Sequence, residues 1–270
     1  MSDHIPVSDW VKHSPTLQKM ERIEAFFNGH GFTPHRHDTY AIGTTLSGVQ
    51  SFQYRRCQRH SLPGNIMVLH PDEVHDGQAG TDAGFRYRMV YIEPALIQQV
   101  LGGKPLPFIE GGLSNDPRLH HAIRALLCNL DAAMEPLEED DLIYDLAHVL
   151  DQISGQRVSR KALDFVAAER ARAFIHSALD RVVTLEELSQ VSGRDRWSLS
   201  RDFRALYGTS PYRYMTQRRL DLAKAMLRSG YPLAESALSA GFFDQSHMTR
   251  QFIQAYGVPP GKWLKRLKPF

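Results

Sequence analysis

Short apolar runs separated by turn-forming residues make up the first third of the chain. Between residues 23 and 93 these runs are rich in β-branched and aromatic residues, and Gly, Pro and Asp interrupt them. Such spacing is typical of the strands of a β-sandwich or β-barrel. The pattern predicts strands at residues 23–27, 40–46, 49–55, 66–69 and 85–92.

Helical periodicity replaces the strand pattern further along the chain. Apolar residues recur at intervals of three and four, which predicts two helices, at 116–134 and 138–154, each with one apolar stripe. Pro136 and the acidic run 138–141 separate them, and the acids lie at the first turn of the second helix, where the helix dipole favours negative charge. The polar stretch 155–164 has few apolar anchors and indicates a linker.

Helical signals continue through residues 165–270. Thr184 and Glu187 have the spacing of a capping box, and Ser210 and Pro211 supply an N-cap followed by proline at the first helical position. No strand pattern occurs in this part of the sequence. The predicted architecture is therefore α+β with two domains: a β-barrel with two α-helices at 1–154, a linker at 155–164 and an all-α domain at 165–270.

Composition and charge agree with two folded domains of different character. Of 270 residues, 42% are hydrophobic and 10% are aromatic, which excludes a disordered or fibrous chain. Residues 1–164 carry 15 Lys and Arg against 21 Asp and Glu, a net charge of −6, whereas the remainder carries 17 against 9, a net charge of +8. A basic domain beside an acidic one suggests a polyanionic partner, although a solvated basic surface has the same signature.

The sequence predicts a cytoplasmic protein with no membrane partner. It has no run of about twenty apolar residues, and its first residues lack the basic-then-apolar order of a secretory signal. Cys57 and Cys128 form no CxxC or CxxxC pair, which argues against a disulfide framework and a thiolate zinc site.

A segment of the basic domain occurs twice, at a spacing of 49 residues. The identical pairs are Arg201 and Arg250, Phe203 and Phe252, Tyr207 and Tyr256, Gly208 and Gly257, and Pro211 and Pro260. Asp195 and Asp244 also match, each in position to cap the helix that follows. Each copy predicts a short helix, a tight turn and a second helix that ends at Gly, which is the plan of a helix-turn-helix motif.

The second helix of each copy has an apolar face and a polar face. The apolar faces consist of Leu199, Phe203 and Leu206 in the first copy and Met248, Phe252 and Ala255 in the second. The polar faces carry residue types that bond base edges or phosphates in a major groove. A helix over about 211–229, roughly 28 Å long, separates the copies, so the two second helices could enter successive major grooves about 34 Å apart.

The basic domain resembles the DNA-binding domain of the AraC/XylS family of transcription regulators. Over about 100 residues, the resemblance is carried by ALSAGFFDQSHMTRQF at 237–252, by YGVPP at 256–260, and by Leu199, Arg201, Phe203, Gly208, Ser210 and Pro211 in the first copy. It implies that DNA contacts come from Arg196, Trp197, Ser200, Arg201, Gln245, Ser246, His247 and Arg250. A packed aromatic remains the alternative for Trp197, and structural salt bridges remain the alternative for Arg201 and Arg250. Ile253 departs from the family pattern, which usually has a basic residue there.

Members of this family commonly bind a small effector in an N-terminal barrel of the cupin type, which the predicted strands resemble. His35-x-His37 agrees with the first cupin motif, and Pro63-Gly64 followed by His75 agrees with the second. The resemblance therefore brings three imidazoles together in the barrel. The candidate effector-binding residues are His35, His37, Tyr40, His75, Arg86 and Tyr91.

Three interpretations of the histidines stay open: an effector pocket, a metal site, or structural histidines bonded to backbone. A metal site would fit an alternative function, a metal-dependent cupin enzyme fused to a DNA-binding domain. Against catalysis, Ala41 and Ile42 stand where the enzymatic motif has a carboxylate. The sequence therefore predicts no enzyme, no catalytic residue and no cofactor, and it assigns no metal.

The predicted function is sequence-specific DNA binding that regulates transcription under the control of a small effector in the barrel. The expected partners are double-stranded promoter DNA, the small-molecule effector and a second copy of the chain in a homodimer, with RNA polymerase as a candidate further partner. The helices at 116–134 and 138–154 either pack on the barrel or, as the resemblance implies, pair across the dimer.

Overall fold

The computed structural model describes residues 8–15, 20–154 and 162–267, so most of the predicted linker lies outside the described residues. The strands are β1 (Trp10–His13), β2 (Met20–Phe27), β3 (His30–His35), β4 (Tyr40–Gly48), β5 (Gln50–Tyr54), β6 (Cys57–Ser61), β7 (Ile66–Leu69), β8 (His75–Ala79), β9 (Phe85–Ile92) and β10 (Leu113–Ser114). The helices are α1 (Pro94–Leu101), α2 (Pro117–Leu127), α3 (Pro136–Ile153), α4 (Phe165–Ser177), α5 (Leu185–Ser192), α6 (Arg196–Tyr207), α7 (Pro211–Arg228), α8 (Leu233–Ser239), α9 (Gln245–Tyr256) and α10 (Pro260–Arg266).

The strands form two antiparallel sheets that pack face to face. The larger sheet has the order β1-β2-β9-β4-β7-β10, and the smaller has the order β3-β8-β5-β6. Along β9, Phe85, Tyr87 and Met89 join the core between the sheets, whereas Val90 and Ile92 join a core on the opposite face, as the alternation of a strand requires. The predicted α+β fold with a cupin-like first domain is confirmed. Within the described residues the edge strands of the two sheets do not pair with each other, so the sheets form a sandwich rather than a closed barrel.

Helices α1, α2 and α3 cover the outer face of the larger sheet and complete its second core. Helix α2 ends at Leu127, earlier than its apolar periodicity predicts. The buried Arg22 side chain explains the early end, because it donates hydrogen bonds of 3.1 Å to the carbonyl oxygens of Leu126, Asn129 and Ala132. These bonds satisfy carbonyl groups at and beyond the end of the helix.

The second domain contains two helix-turn-helix units joined by α7, with α4 packed on the first unit and α10 on the second. Helices α5 and α6 form the first unit, α8 and α9 form the second, and each unit has its own apolar core. Asp195 and Asp244 cap α6 and α9, and both helices end at a glycine in the left-handed conformation, Gly208 and Gly257. The 49-residue repeat in the sequence is therefore a repeat in the structure. Over the described residues, no helix combines the length and apolar character needed to span a membrane.

Candidate functional site

The N-terminal ends of α6 and α9 carry most of the predicted DNA contacts to the surface. On α6, Arg196 and Trp197 are exposed, and 74% of Trp197 is accessible. The packed-aromatic alternative for Trp197 is therefore wrong. Ser200 is half-buried. On α9, Gln245, Ser246 and Arg250 are exposed, and His247 is half-buried against the ring of Phe242.

Arg201 and Arg250 differ in their surroundings, although they are equivalent in the repeat. The Arg201 guanidinium donates hydrogen bonds of 2.9 and 2.7 Å to Asp202, whose fully buried carboxylate also pairs with Arg194 at 3.1 Å. Arg250 is exposed, and it has no ion pair within the part of the chain that the structure describes. The structural salt bridge considered for both arginines is therefore present at Arg201 alone.

Phe243 is an exposed residue that the sequence analysis does not select. It lies directly before Asp244, the cap of α9, and 86% of its surface is accessible. The 49-residue shift places it opposite Arg194, so an apolar residue replaces a basic one at the same point of the repeat. The difference between Phe243 and Arg194 in the two copies is the feature of the sequence from which this exposed residue could have been predicted.

A cavity of about 140 Å³ lies between the two sheets and the second domain. Half of the residues that the first domain contributes to its walls are aliphatic or aromatic, among them Phe27, Phe32 and Met89. Helices α7, α9 and α10 supply the remaining wall, where Lys224, Tyr256 and Trp263 line the cavity. Both domains therefore build this pocket, which the sequence analysis places in the first domain alone.

The structure brings His35, His37 and His75 together at this cavity, as predicted. The ring of His75 lies 4.4 Å from that of His35 and 4.9 Å from that of His37, measured between centroids. Tyr91 also lines the cavity, with its ring 5.6 Å from that of His37. Strand β3 supplies His35 and strand β8 supplies His75, and the two residues are paired in register.

Burial keeps these imidazoles neutral. Removal from water, together with a smaller contribution from the neighbouring His35, lowers the pKa of His37 to about 3. Burial also lowers the pKa of His35, and it holds the pKa of His75 well below its usual range. At neutral pH the cluster therefore presents uncharged rings with free lone pairs.

Two predicted pocket residues lie elsewhere, because successive side chains of a strand point to opposite faces. Tyr40 belongs to the core under the helices, where its hydroxyl donates to the carbonyl oxygen of Pro107 at 2.7 Å. Arg86 lies on the outer face and pairs with Glu24. The prediction that Tyr40 and Arg86 line the pocket is corrected accordingly.

Basic residues of α7 meet acidic residues of the first domain at the domain interface. The buried Arg218 donates to Asp38 at 3.0 and 3.1 Å and pairs with Glu93. Lys224 and Arg228 both pair with Glu21, at 3.2 and 3.0 Å, beside the cavity. Arg213 pairs with Asp72 at a more exposed position.

Both second helices of the helix-turn-helix units end against the first domain. A Cβ added at Gly208 would lie 2.5 Å from Pro71, and one added at Gly257 would lie 2.8 Å from the carbonyl oxygen of Thr33. The Thr33 hydroxyl also donates to the carbonyl oxygen of Gly257 at 2.8 Å. The first domain therefore touches both units at equivalent positions of the repeat.

Comparison with protein families assigns both domains. Residues 17–147 match the AraC-like ligand binding domain, and residues 188–266 match a helix-turn-helix domain. The matched ranges contain the histidine cluster and both second helices. The two matches are therefore consistent with the division of the chain into a ligand-binding and a DNA-binding part.

Two curated relatives share sequence with this chain to different extents. YbfI of Bacillus subtilis, an uncharacterized HTH-type transcriptional regulator, is 26% identical over 241 residues, which cover 84% of this chain and 86% of YbfI. The multiple antibiotic resistance protein MarA of Escherichia coli is 30% identical over 107 residues, which cover 39% of this chain and 84% of MarA.

The solved structure of ToxT from Vibrio cholerae has the same fold. It superposes with a TM-score of 0.67 at 13% identity and covers 93% of this chain and all of ToxT. ToxT with an unsaturated fatty acid bound superposes with a TM-score of 0.64, covering 97% of each chain. The similarity therefore includes the arrangement of both domains in one chain.

Proposed function

The chain belongs to the AraC family of transcription regulators, and we propose that it reads promoter DNA through α6 and α9 under the control of a ligand held between its domains. The observation that carries this proposal is the duplicated helix-turn-helix unit with exposed polar ends. The proposed DNA contacts are Arg196, Trp197, Ser200, Arg201, Gln245, Ser246, His247 and Arg250. Arg, Gln and Ser are residue types that bond base edges and phosphates in the major groove.

The spacing of the two units supports simultaneous contact with one face of the duplex. Helix α7 has 18 residues and is about 27 Å long at 1.5 Å per residue. Successive major grooves on one face of DNA are about 34 Å apart. The units at the two ends of α7 therefore suit a site that spans two helical turns.

Binding of the full-length protein to labelled duplexes tests the proposal. Fluorescence anisotropy with DNA from upstream of the protein's own gene, and with a random duplex of equal length, measures affinity and specificity. We expect affinity to fall steeply with salt, because neutralised phosphates release counterions, and we expect the upstream DNA to bind more tightly. A flat salt response, or equal affinity for every duplex, would contradict the proposal.

Ligand control is supported by the position of the cavity. A ligand there would contact both domains, and it would change DNA affinity if the two domain arrangements bind it differently. ToxT has been solved with an unsaturated fatty acid, and the aliphatic and aromatic side chains in the walls of this cavity favour a small ligand with an apolar body. A thermal-shift screen of the full chain identifies ligands that stabilise the fold. A true effector should then change DNA affinity by about 5- to 150-fold.

Dimerisation, location and the absence of catalysis complete the proposal. Helix α3 exposes Leu137 and Tyr144, which supports a homodimer through this face, and sedimentation of the wild type and of Leu137→Lys tests it.

Promoter DNA as the target supports a cytoplasmic location, and contact with RNA polymerase stays a prediction. We propose a binding role rather than the alternative of a metal-dependent cupin enzyme, because the chain's relatives act as regulators.

A further inference from the structure

An exposed aromatic ring stands at the start of α9, the recognition helix of the second helix-turn-helix unit. Phe243 directly precedes Asp244, the N-cap of α9, and 86% of its surface is accessible. Of the large apolar side chains that the structure describes, it is the most exposed. Single exposed apolar residues are common on protein surfaces, so the position of this ring carries more weight than its exposure.

The chain on both sides of Phe243 is held in place. Phe242 is buried in the core of the second unit, and its backbone N–H donates to the carbonyl oxygen of Ala237 at 3.0 Å. On the other side, the carboxylate of Asp244 accepts a hydrogen bond of 2.6 Å from the backbone N–H of His247. These contacts fix the backbone with the Phe243 ring outside the core, so little entropy is lost when a partner covers the ring.

The first unit also presents an exposed aromatic ring at this end, but at a different position of the repeat. The 49-residue shift pairs Trp197 with Ser246, and it pairs Arg194 with Phe243. Trp197 is exposed, whereas Arg194 is half-buried and pairs with Asp202 at 3.1 Å. Each unit therefore offers one ring beside its polar contacts, and the different positions suit two half-sites of different sequence.

We propose that Phe243 reads a thymine in the half-site of the second unit by packing its ring against the C5-methyl group of the base. The proposal rests on the DNA contact of α9 proposed above. The N-terminal residues of such a helix contact base edges in the major groove. Phe243 immediately precedes these residues, among which Gln245 and Ser246 are exposed.

The chemistry of the groove selects thymine as the partner of this ring. Thymine presents an apolar group, its C5-methyl, in the major groove, and phenylalanine is among the residues that make apolar contact with it. Gln245 and Ser246 supply hydrogen-bonding groups for neighbouring base edges. A protein partner seated on Phe243 would instead cover the end of α9 that enters the groove.

Single replacements of thymine by deoxyuridine test the proposal, because uracil pairs as thymine does but lacks the methyl group. The full-length protein is titrated by fluorescence anisotropy against the footprinted upstream duplex and against duplexes with one replacement each. We expect the wild type to lose about 4-fold in affinity at one thymine, as for the loss of one buried methyl group. Phe243→Ala should bind the thymine duplex at least about 4-fold more weakly and should not distinguish thymine from uracil at that position. Phe243→Leu keeps an apolar side chain and should still distinguish them.

Trp197→Ala is the matched control, because it removes an exposed aromatic ring from the equivalent end of the first unit. It should weaken DNA binding but keep the preference for thymine at the position that Phe243 reads. If Phe243→Ala bound every duplex as the wild type does, the proposal would be overturned in favour of a protein partner for the ring.

The wild-type series separates this proposal from the proposed function without any variant. Specific binding to upstream DNA with no loss at any deoxyuridine would overturn the thymine contact and leave the proposed function standing. Absence of specific binding to the unmodified duplex would overturn both.

Discussion

Arg201 and Arg250 show how one residue type at one position of a repeat acquires two roles. The Arg201 guanidinium is shared between the protein surface and the buried carboxylate of Asp202, whereas Arg250 is free of ion pairs within the described residues. Restraint by Asp202 fixes the orientation of Arg201 before DNA arrives, which lowers the entropy that binding must overcome. Removal of Arg201 and removal of Arg250 should therefore change the stability of the free protein by different amounts.

Arg250→Ala should cost about 1–3 kcal/mol of binding free energy on the specific site and much less on random DNA, as for an arginine that bonds a base edge. Its folding stability should stay within about 0.5 kcal/mol of the wild type, because the side chain is exposed and unpaired. Arg201→Ala should weaken DNA binding and also destabilise the fold, since it removes a partner of a buried carboxylate.

Anisotropy titrations and urea unfolding measure the two effects separately. Lys104→Ala is a suitable control, because it removes the same charge from an exposed position of the first domain, where it pairs with Asp151. If Arg250→Ala lost equal affinity on specific and random DNA, the side chain would contact only phosphate.

The sequence predicts some residues of the candidate site correctly and others incorrectly, and the difference lies in the direction of single side chains. The sequence locates His35, His37 and His75, because these residues stand at the positions of histidine in the two cupin motifs. The strand pattern also predicts Tyr40 and Arg86 in this pocket, but a short apolar run does not show which face of the strand points inward. That choice depends on which sheet and which helices cover each face, and it becomes visible only in the fold.

At the scale of elements, the glycines that end the recognition helices couple them to the first domain. Gly257 has a φ of 67° and contacts Thr33 and His35, whereas Gly193, which ends α5, has a φ of 72° and no atom within 4 Å of an added Cβ. The two positions share the left-handed backbone and differ in their neighbours. They form a matched pair for substitution.

Gly193→Ala should destabilise the protein by about 1–2 kcal/mol, the cost of a left-handed residue with a Cβ. Gly257→Ala should add to this cost the displacement of Thr33 and His35, and it should change the contact between the domains. Thermal unfolding and anisotropy with specific DNA measure both effects. Equal losses of stability at the two positions would show that Thr33 and His35 can move away from an added Cβ at Gly257 without a cost in free energy.

Several elements escape prediction, either because polar residues form them or because they follow another element without a break. Strands β3 and β8 consist largely of His, Gly, Thr and Gln, and they are held by backbone hydrogen bonds to a neighbouring strand rather than by an apolar face. Helix α1 follows directly on β9, so its apolar residues merge with the strand pattern. By contrast, the capping signals at Thr184, Asp195 and Asp244 predicted helix starts correctly, because caps act within one turn.

At the scale of the whole molecule, the basic residues of the second domain have two uses. Some pair with carboxylates of the first domain, and others remain available to DNA. Four basic residues of α7 pair with carboxylates of the first domain that precede them by more than 120 residues: Arg213, Arg218, Lys224 and Arg228. The net charge of +8 in the second domain therefore overstates the surface available to DNA. Sequence alone could not separate the two uses, since the pairs depend on how the domains pack.

Glu21 links this interface to pH. Burial alone would raise its pKa, but Lys224, a hydrogen bond from His13, and Arg228 together hold that pKa well below the usual range. The charged and titratable groups that face Glu21 are His13, Tyr91, Lys224, Arg228 and Tyr256. Because the folded pKa is depressed, the stabilisation is present above the ordinary glutamate pKa and is lost as pH falls through the lower folded value.

Glu21→Gln should therefore lower Tm at pH 7, and the difference from the wild type should shrink as pH falls below about 4.3. Thermal unfolding across pH measures this. A difference in Tm that stays constant from pH 7 to pH 3 would mean that Glu21 acts through packing rather than charge.

Arg218 is the most deeply buried of the four α7 cations that pair with the first domain, and it should contribute most to the stability of the interface. Arg218→Ala leaves the buried carboxylate of Asp38 without its cation, and such a loss typically costs about 3–5 kcal/mol. Arg213→Ala is the control on the same helix, since its pair with Asp72 is more exposed and should contribute at most about 1 kcal/mol. If Arg218→Ala weakens the contact between the domains rather than either apolar core, small-angle scattering should show that this variant is more extended than Arg213→Ala. Equal scattering and equal unfolding free energies for the two variants would mean that apolar contacts and not this ion pair hold the DNA-binding domain against the ligand-binding domain.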